Sequence, residues 1–142
     1  MEKIVHDNKK FVIHIPNKKI QKRLKVLANE LNIKYSNHKI LFICVLNGAK
    51  PFLKDLLKLI DFEYDVDYIK ISSYKDMIKG NIIFEKSNTI NNFKNYSKVI
   101  IIEDIIDSGS TIKFINSFFD EIKDKILIFS LLAKERKKKL CD

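Results

Sequence analysis

Two stretches of the chain, residues 39–46 (KILFICVL) and 99–102 (VIII), are almost unbroken runs of apolar, mostly β-branched or long aliphatic side chains. Short runs of this kind predict strands buried on both faces, as at the centre of a parallel sheet. A third run, 125–133 (KILIFSLLA), predicts another strand, and 65–72 (DVDYIKIS) alternates in the manner of a strand with one wetter face. Residues 11–15 (FVIHI), ended by Pro16, and residues 81–85 give two shorter strands. Between the strands the period changes. Ile20, Leu24, Leu27 and Leu31 recur at helical spacing, which predicts a helix from Lys18 to about Ile33 with Asn17 as its cap. A second helix is expected over 51–60, with Pro51 in the tolerated first turn. A third is expected over 112–122, where Ile112, Ile115, Phe118, Phe119 and Ile122 share a face. Strands alternating with helices over short connections predict an α/β fold, a doubly wound and mostly parallel twisted sheet with helices on both faces.

Composition narrows the class of protein. With 142 residues, 46% of them hydrophobic, the chain is long enough for one cored domain, residues 1–142. No run approaches the ~18 apolar residues that a membrane span needs, and the start, MEKIVHDNKK, lacks the apolar centre of a signal peptide. Cys44, in an expected strand, and Cys141, near the chain end, do not make a disulfide framework, so a reduced, cytoplasmic compartment is expected. His6, His14 and His38 have no partners at metal-ligand spacing. The formal charge of +9 suits a nucleic acid, or equally a small polyanionic substrate such as a pyrophosphate ester. The lysines are scattered and no aromatic interleaving suggests stacked bases, so a local anion site is favoured over nucleic acid.

That site is expected after the 99–102 strand. Glu103 and Asp104 stand where the strand should leave the core, Ile105 and Ile106 follow, then Asp107 and the small polar run Ser108, Gly109, Ser110, Thr111. Small residues at a helix start expose backbone N–H groups that suit a phosphate. Acids just upstream suit sugar hydroxyls or a divalent cation carried by that phosphate. A plain capped turn, with Asp107 or Ser108 as N-cap, is the simpler reading. Against it, two adjacent carboxylates are costly unless a cation or ligand hydroxyls share the load. A P-loop is excluded, because Gly-x-x-x-x-Gly-Lys-Ser/Thr occurs nowhere in the chain.

The segment VIIIEDIIDSGST resembles the phosphoribosyl-pyrophosphate (PRPP) motif of the type I phosphoribosyltransferases, a strand followed by two acids, two apolar residues and Asp-Ser/Thr-Gly-x-Thr. The form EDIIDSGST is most similar to the hypoxanthine-guanine branch. Other segments agree in order. LNGAKPFLKDLL resembles the first loop and helix, where Leu46, Asn47 and Gly48 would bind pyrophosphate through backbone amides and where relatives can hold a cis peptide. Ser73 and Tyr74 match a pair on a long loop that closes over the reaction centre, although Lys79-Gly80 replaces the usual Ser/Thr before the glycine. Lys134, ending SLLAK, matches the lysine that hydrogen-bonds the 6-oxo group of the purine.

The resemblance implies purine salvage. Hypoxanthine or guanine and PRPP would give the nucleoside 5′-monophosphate and pyrophosphate, with Mg²⁺ as cofactor. Ser108, Gly109, Ser110 and Thr111 would hold the 5′-phosphate, Glu103 and Asp104 the ribose hydroxyls and the metal, and Asp107 would be the catalytic proton acceptor at purine N7. It also implies a homo-oligomer, a dimer or tetramer, with no membrane. The chain ends in ERKKKLCD where relatives continue through a base-binding hood, so an incomplete hood is expected. A weakly active or inactive nucleotide-binding relative, or an RNA-binding regulator on the same fold, is the alternative.

Overall fold

A computed structural model describes the backbone of residues 3–73, 82–86 and 93–134, and the side chains of 5–71 and 93–134. Its strands are β1 (Lys3–His6), β2 (Lys9–Val12), β3 (Ile40–Leu46), β4 (Tyr64–Ser73), β5 (Ile82–Lys86), β6 (Lys98–Ile106) and β7 (Ile126–Ala133). Its helices are α1 (Asn17–Tyr35), α2 (Lys50–Leu57) and α3 (Ser110–Phe118). The main sheet has the order β5-β4-β3-β6-β7, parallel throughout except for β5, which runs antiparallel to β4.

The central runs behave as their composition requires. In β3, Ile40, Phe42 and Cys44 pack with Leu24, Leu31, Phe52 and Leu56 of α1 and α2, while Leu41, Ile43 and Val45 pack with Ile115 and Phe119 on the opposite face. In β6, Ile100 and Ile102 share the first cluster, and Val99 and Ile101 the second. Alternation along each strand thus feeds two helix layers, and the doubly wound expectation holds. From β3 the chain moves outward through β4 and β5, then returns to the other side of β3 as β6. Connections therefore leave β3 and β6 in opposite directions, and open α/β sheets bind ligands in the crevice at that switch point.

Several local expectations need correction. The 11–15 strand ends at Val12 and belongs to a separate hairpin with β1, closed through Asp7 and Asn8 at φ 49° and 58°. Asn17 is the first residue of α1, and the cap position is Pro16. The 112–122 helix stops at Phe118, because Phe119 leaves the helical region (φ −103°, ψ 25°); a 3₁₀ segment, Asp120–Lys125, follows and is kinked at Ile122 (φ −124°). Asp67 on β4 is almost fully buried, and one of its carboxylate oxygens accepts the N–H of Tyr68 at 2.7 Å. Among the described residues no helix is long and apolar enough to cross a membrane.

Candidate functional site

β6 does not stop before its acids. Its ladder with β3 ends at the Cys44–Ile102 pair, while its ladder with β7 continues through Glu103–Ser130 to Ile106–Ala133. Glu103 and Asp104 therefore lie on a strand that is paired on one side and free on the other, facing the crevice. As neighbours on a strand they point to opposite faces.

Glu103 lies on the α3 side and is 6% exposed. Burial, reinforced by Asp104 beside it, pushes its carboxyl up from the ordinary 4.5 to about 7. The folded chain thus holds a proton that the unfolded chain releases between those two values, and Glu103 makes the ligand-free protein lose stability as pH rises from about 4.5 to about 7. Glu103→Gln mimics the protonated form. In metal-free buffer it is expected to melt roughly 5 °C above the native chain at pH 8 and level with it at pH 4. Calorimetry at both pH values checks this, and equal melting at pH 8 contradicts it.

Asp104 turns to the other face and meets the β3–α2 loop. The Leu46–Asn47 peptide there is cis. A methyl group on Gly48 would overlap the Asp104 carboxylate and lie 2.6 Å from its Cγ, so a side chain at 48 would force the Asp104 carboxylate to move. This contact joins residues far apart in sequence, and composition gives no sign of it.

Gly109 occupies the N-cap position of α3 in the left-handed region (φ 81°), and no side chain caps the helix. The bland reading of Asp107 or Ser108 as N-cap is thereby set aside. Ser108 Oγ accepts the N–H of Ser110 at 3.2 Å and lies 2.8 Å from Ser110 Oγ. The turn encloses a cavity of about 80 Å³ lined by Glu103, Asp107, Ser108, Gly109 and Thr111. First-turn N–H groups with no intrahelical acceptor, backed by the positive helix end, make such a cavity fit a small anion.

β7 brings Lys134 alongside. Its backbone N–H donates to Ile106 O at 2.9 Å, and its Nζ lies 3.4 Å from Asp107 Oδ1. Both side chains are more than half exposed, so the pair is worth at most about 1 kcal/mol and a ligand can open it. Cys44, at the end of β3, is no nucleophile, because burial pushes its thiol up to about 11. A larger cavity of about 630 Å³ lies between α1 and β7, lined chiefly by apolar residues such as Leu24, Leu27, Leu127 and Phe129; it shares no residue with these loops. Ser73 ends β4; Tyr74, Lys79, Gly80 and Cys141 lie outside the described residues. Among the described residues no group of three His, Cys, Asp or Glu side chains could hold a metal. Sequence reading also passed over Lys50, whose Nζ stands 5.8 Å from the Tyr68 ring centroid beside the Leu46–Gly48 loop.

Known proteins share this arrangement. Residues 15–141 match the family described as "Phosphoribosyl transferase domain". The chain is 36% identical over 130 residues to the hypoxanthine-guanine phosphoribosyltransferase of Bacillus subtilis, covering 91% of this chain and 71% of that one. It is 37% identical over 125 residues to the hypoxanthine-guanine-xanthine phosphoribosyltransferase of Tritrichomonas foetus, covering 87% and 67%. A crystal structure of a hypoxanthine-guanine phosphoribosyltransferase from Bacillus anthracis superposes with a TM-score of 0.72 at 30% identity, over 89% of this chain and 76% of that one. A hypoxanthine phosphoribosyltransferase from Staphylococcus aureus gives 0.74 at 28% identity, over 90% and 70%. With the motif, the family match and these relatives in agreement, the chain belongs to the phosphoribosyltransferase family, on its hypoxanthine-guanine branch.

Proposed function

We propose that the protein salvages 6-oxopurines, transferring the 5-phosphoribosyl group of PRPP to hypoxanthine or guanine and releasing pyrophosphate. The observation that carries this reading is convergence at one switch point. The anion cradle of α3, the Gly48 loop against Asp104, and the Asp107–Lys134 pair all sit at the carboxyl ends of β3, β6 and β7.

In this reading the first turn of α3, with Ser108, Ser110 and Thr111, holds the 5′-phosphate and so fixes the ribose. Reaching the end of β6 from its two faces, Glu103 and Asp104 flank the ribose hydroxyls and the positive charge that develops on the sugar as the C1′–O bond breaks. The backbone of Leu46, Asn47 and Gly48 receives the departing pyrophosphate. The base enters between Lys134 and Asp107, whose exposed pair opens at little cost. Lys134 donates to the 6-oxo oxygen, the purine N9–C1′ bond forms, and Asp107 accepts the proton from N7.

Mg²⁺ fits this donor set. It is usually held by one or two carboxylates together with substrate phosphates; Asp104 would be one, and Glu103, buried on the opposite face of β6, would join it only once deprotonated and turned toward the ligand. When bound it neutralises charge on the pyrophosphate leaving group. Ser73, at the end of β4, and Tyr74 match the family's Ser-Tyr pair, whose part in this reading is to exclude water. A cytoplasmic enzyme working as a dimer or tetramer completes the reading, and sedimentation of the purified chain checks the assembly.

The cradle has its own test. Gly109→Val puts a β-branched side chain at φ 81°, a strain of about 1–3 kcal/mol, which a domain with about 5–15 kcal/mol of stability withstands. The variant is expected to stay folded and to bind inosine monophosphate at least about tenfold more weakly, since that is the effect of losing about 1.4 kcal/mol. Unchanged affinity by titration calorimetry contradicts the phosphate assignment.

A further inference from the structure

We propose that Lys50 binds the diphosphate of the substrate, as a cation supplied from the first turn of α2. The inference rests on the phosphoribosyltransferase reading above and assigns to that site a residue outside its motifs.

Lys50 opens α2 immediately after the Leu46–Gly48 loop, and its N–H donates to Asn47 O at 3.3 Å. A cation at a helix N-terminus opposes the helix dipole. α2 itself does not offset it, having no acid in its first turn and no side-chain cap. Among the described residues no carboxylate pairs with Lys50; its exposed ammonium rests over Tyr68, which is itself 42% exposed. A cation held over an exposed ring is held weakly and can be drawn off by an anion. An anion at this helix start would meet both the dipole and the lysine, so the arrangement that is unfavourable in the empty chain becomes favourable with an anion bound.

The charge of the site asks for such a group. Glu103, Asp104 and Asp107 surround the position of a ligand that is itself a polyanion. Lys134 stands on the β6–β7 side, already beside Asp107. Lys50 stands on the β3–α2 side, where the Gly48 loop lies. The simpler alternative is a solvated helix-start lysine with no ligand.

Lys50→Met keeps the side-chain length and contact with Tyr68 while removing the charge, and Lys50→Arg restores the charge. Titration calorimetry of the full chain with PRPP, inorganic pyrophosphate and inosine monophosphate, at low and high salt, reads the outcome. Lys50→Met is expected to weaken PRPP and pyrophosphate about tenfold, flatten their salt dependence and leave the monophosphate within twofold. Lys50→Arg should recover most of the loss. The thermal melt of Lys50→Met should be unchanged or higher, because a cation leaves a helix N-terminus. Native-like affinity for PRPP and pyrophosphate in Lys50→Met overturns the proposal, as does an equal loss of all three ligands. If the native chain binds neither PRPP nor pyrophosphate, the underlying reading falls and the proposal falls with it, a result distinct from the other two.

Discussion

Asp107→Asn is expected to lower the turnover of hypoxanthine by about 10²–10⁴-fold while changing the KM for PRPP less than about threefold. That range is what a positioned proton acceptor contributes. Asparagine keeps the shape and one acceptor oxygen beside Lys134 but cannot take up a proton. The split between the two constants is diagnostic, because a group used only in the transition state affects kcat and leaves ground-state binding intact. Asp107 lies outside the N-cap position, lines the cavity at the start of α3 and stands beside Lys134, where the proposed mechanism places purine N7. Steady-state kinetics of the two proteins, with the melting temperature as a control for folding, checks this. Equal losses in turnover and PRPP affinity would make Asp107 a binding or structural residue.

Gly48→Ala is expected to cost still more per atom added. The new methyl group must displace the Asp104 carboxylate, since the two cannot occupy the same space. Asp104 is only half-buried and its side chain can swing away, so the fold survives and the melting temperature should stay within a few degrees. Gly48 is not held at positive φ, which removes backbone strain as a second cause. In the proposed mechanism Asp104 flanks the ribose, and a misplacement of about 1 Å in a group that positions a reactant can cost about 10²-fold. A fall in kcat/KM of at least about 10²-fold is therefore expected, with PRPP affinity also reduced. Activity within threefold of the native chain would show that Asp104 has no positional role.

The central strands were legible because burial on both faces erases polar positions, and residues 39–46 and 99–102 carry that signature plainly. The β6 motif was legible for a second reason: its small residues and acids follow the chain order of strand, crevice and helix start. What stayed hidden depends on contacts between distant segments. The approach of Gly48 to Asp104 needs β3 and β6 in register, which local sequence does not specify. The continuation of β6 through its acids follows from pairing with β7 on one side only, a property of sheet order. Lys50 reads as an ordinary surface lysine until α2 is placed against Tyr68. The β1–β2 hairpin is a different case, since Asp7-Asn8 is a turn signal between two short β-prone runs and could have been read as one.

The most direct test of the account is the conversion of radiolabelled hypoxanthine by the purified 142-residue chain in the presence of PRPP and Mg²⁺. Labelled inosine monophosphate and pyrophosphate should form in equal amounts, at a rate that depends on PRPP and is suppressed in Asp107→Asn. If neither hypoxanthine nor guanine yields a labelled mononucleotide under excess PRPP, the assignment of this switch point to phosphoribosyl transfer is contradicted.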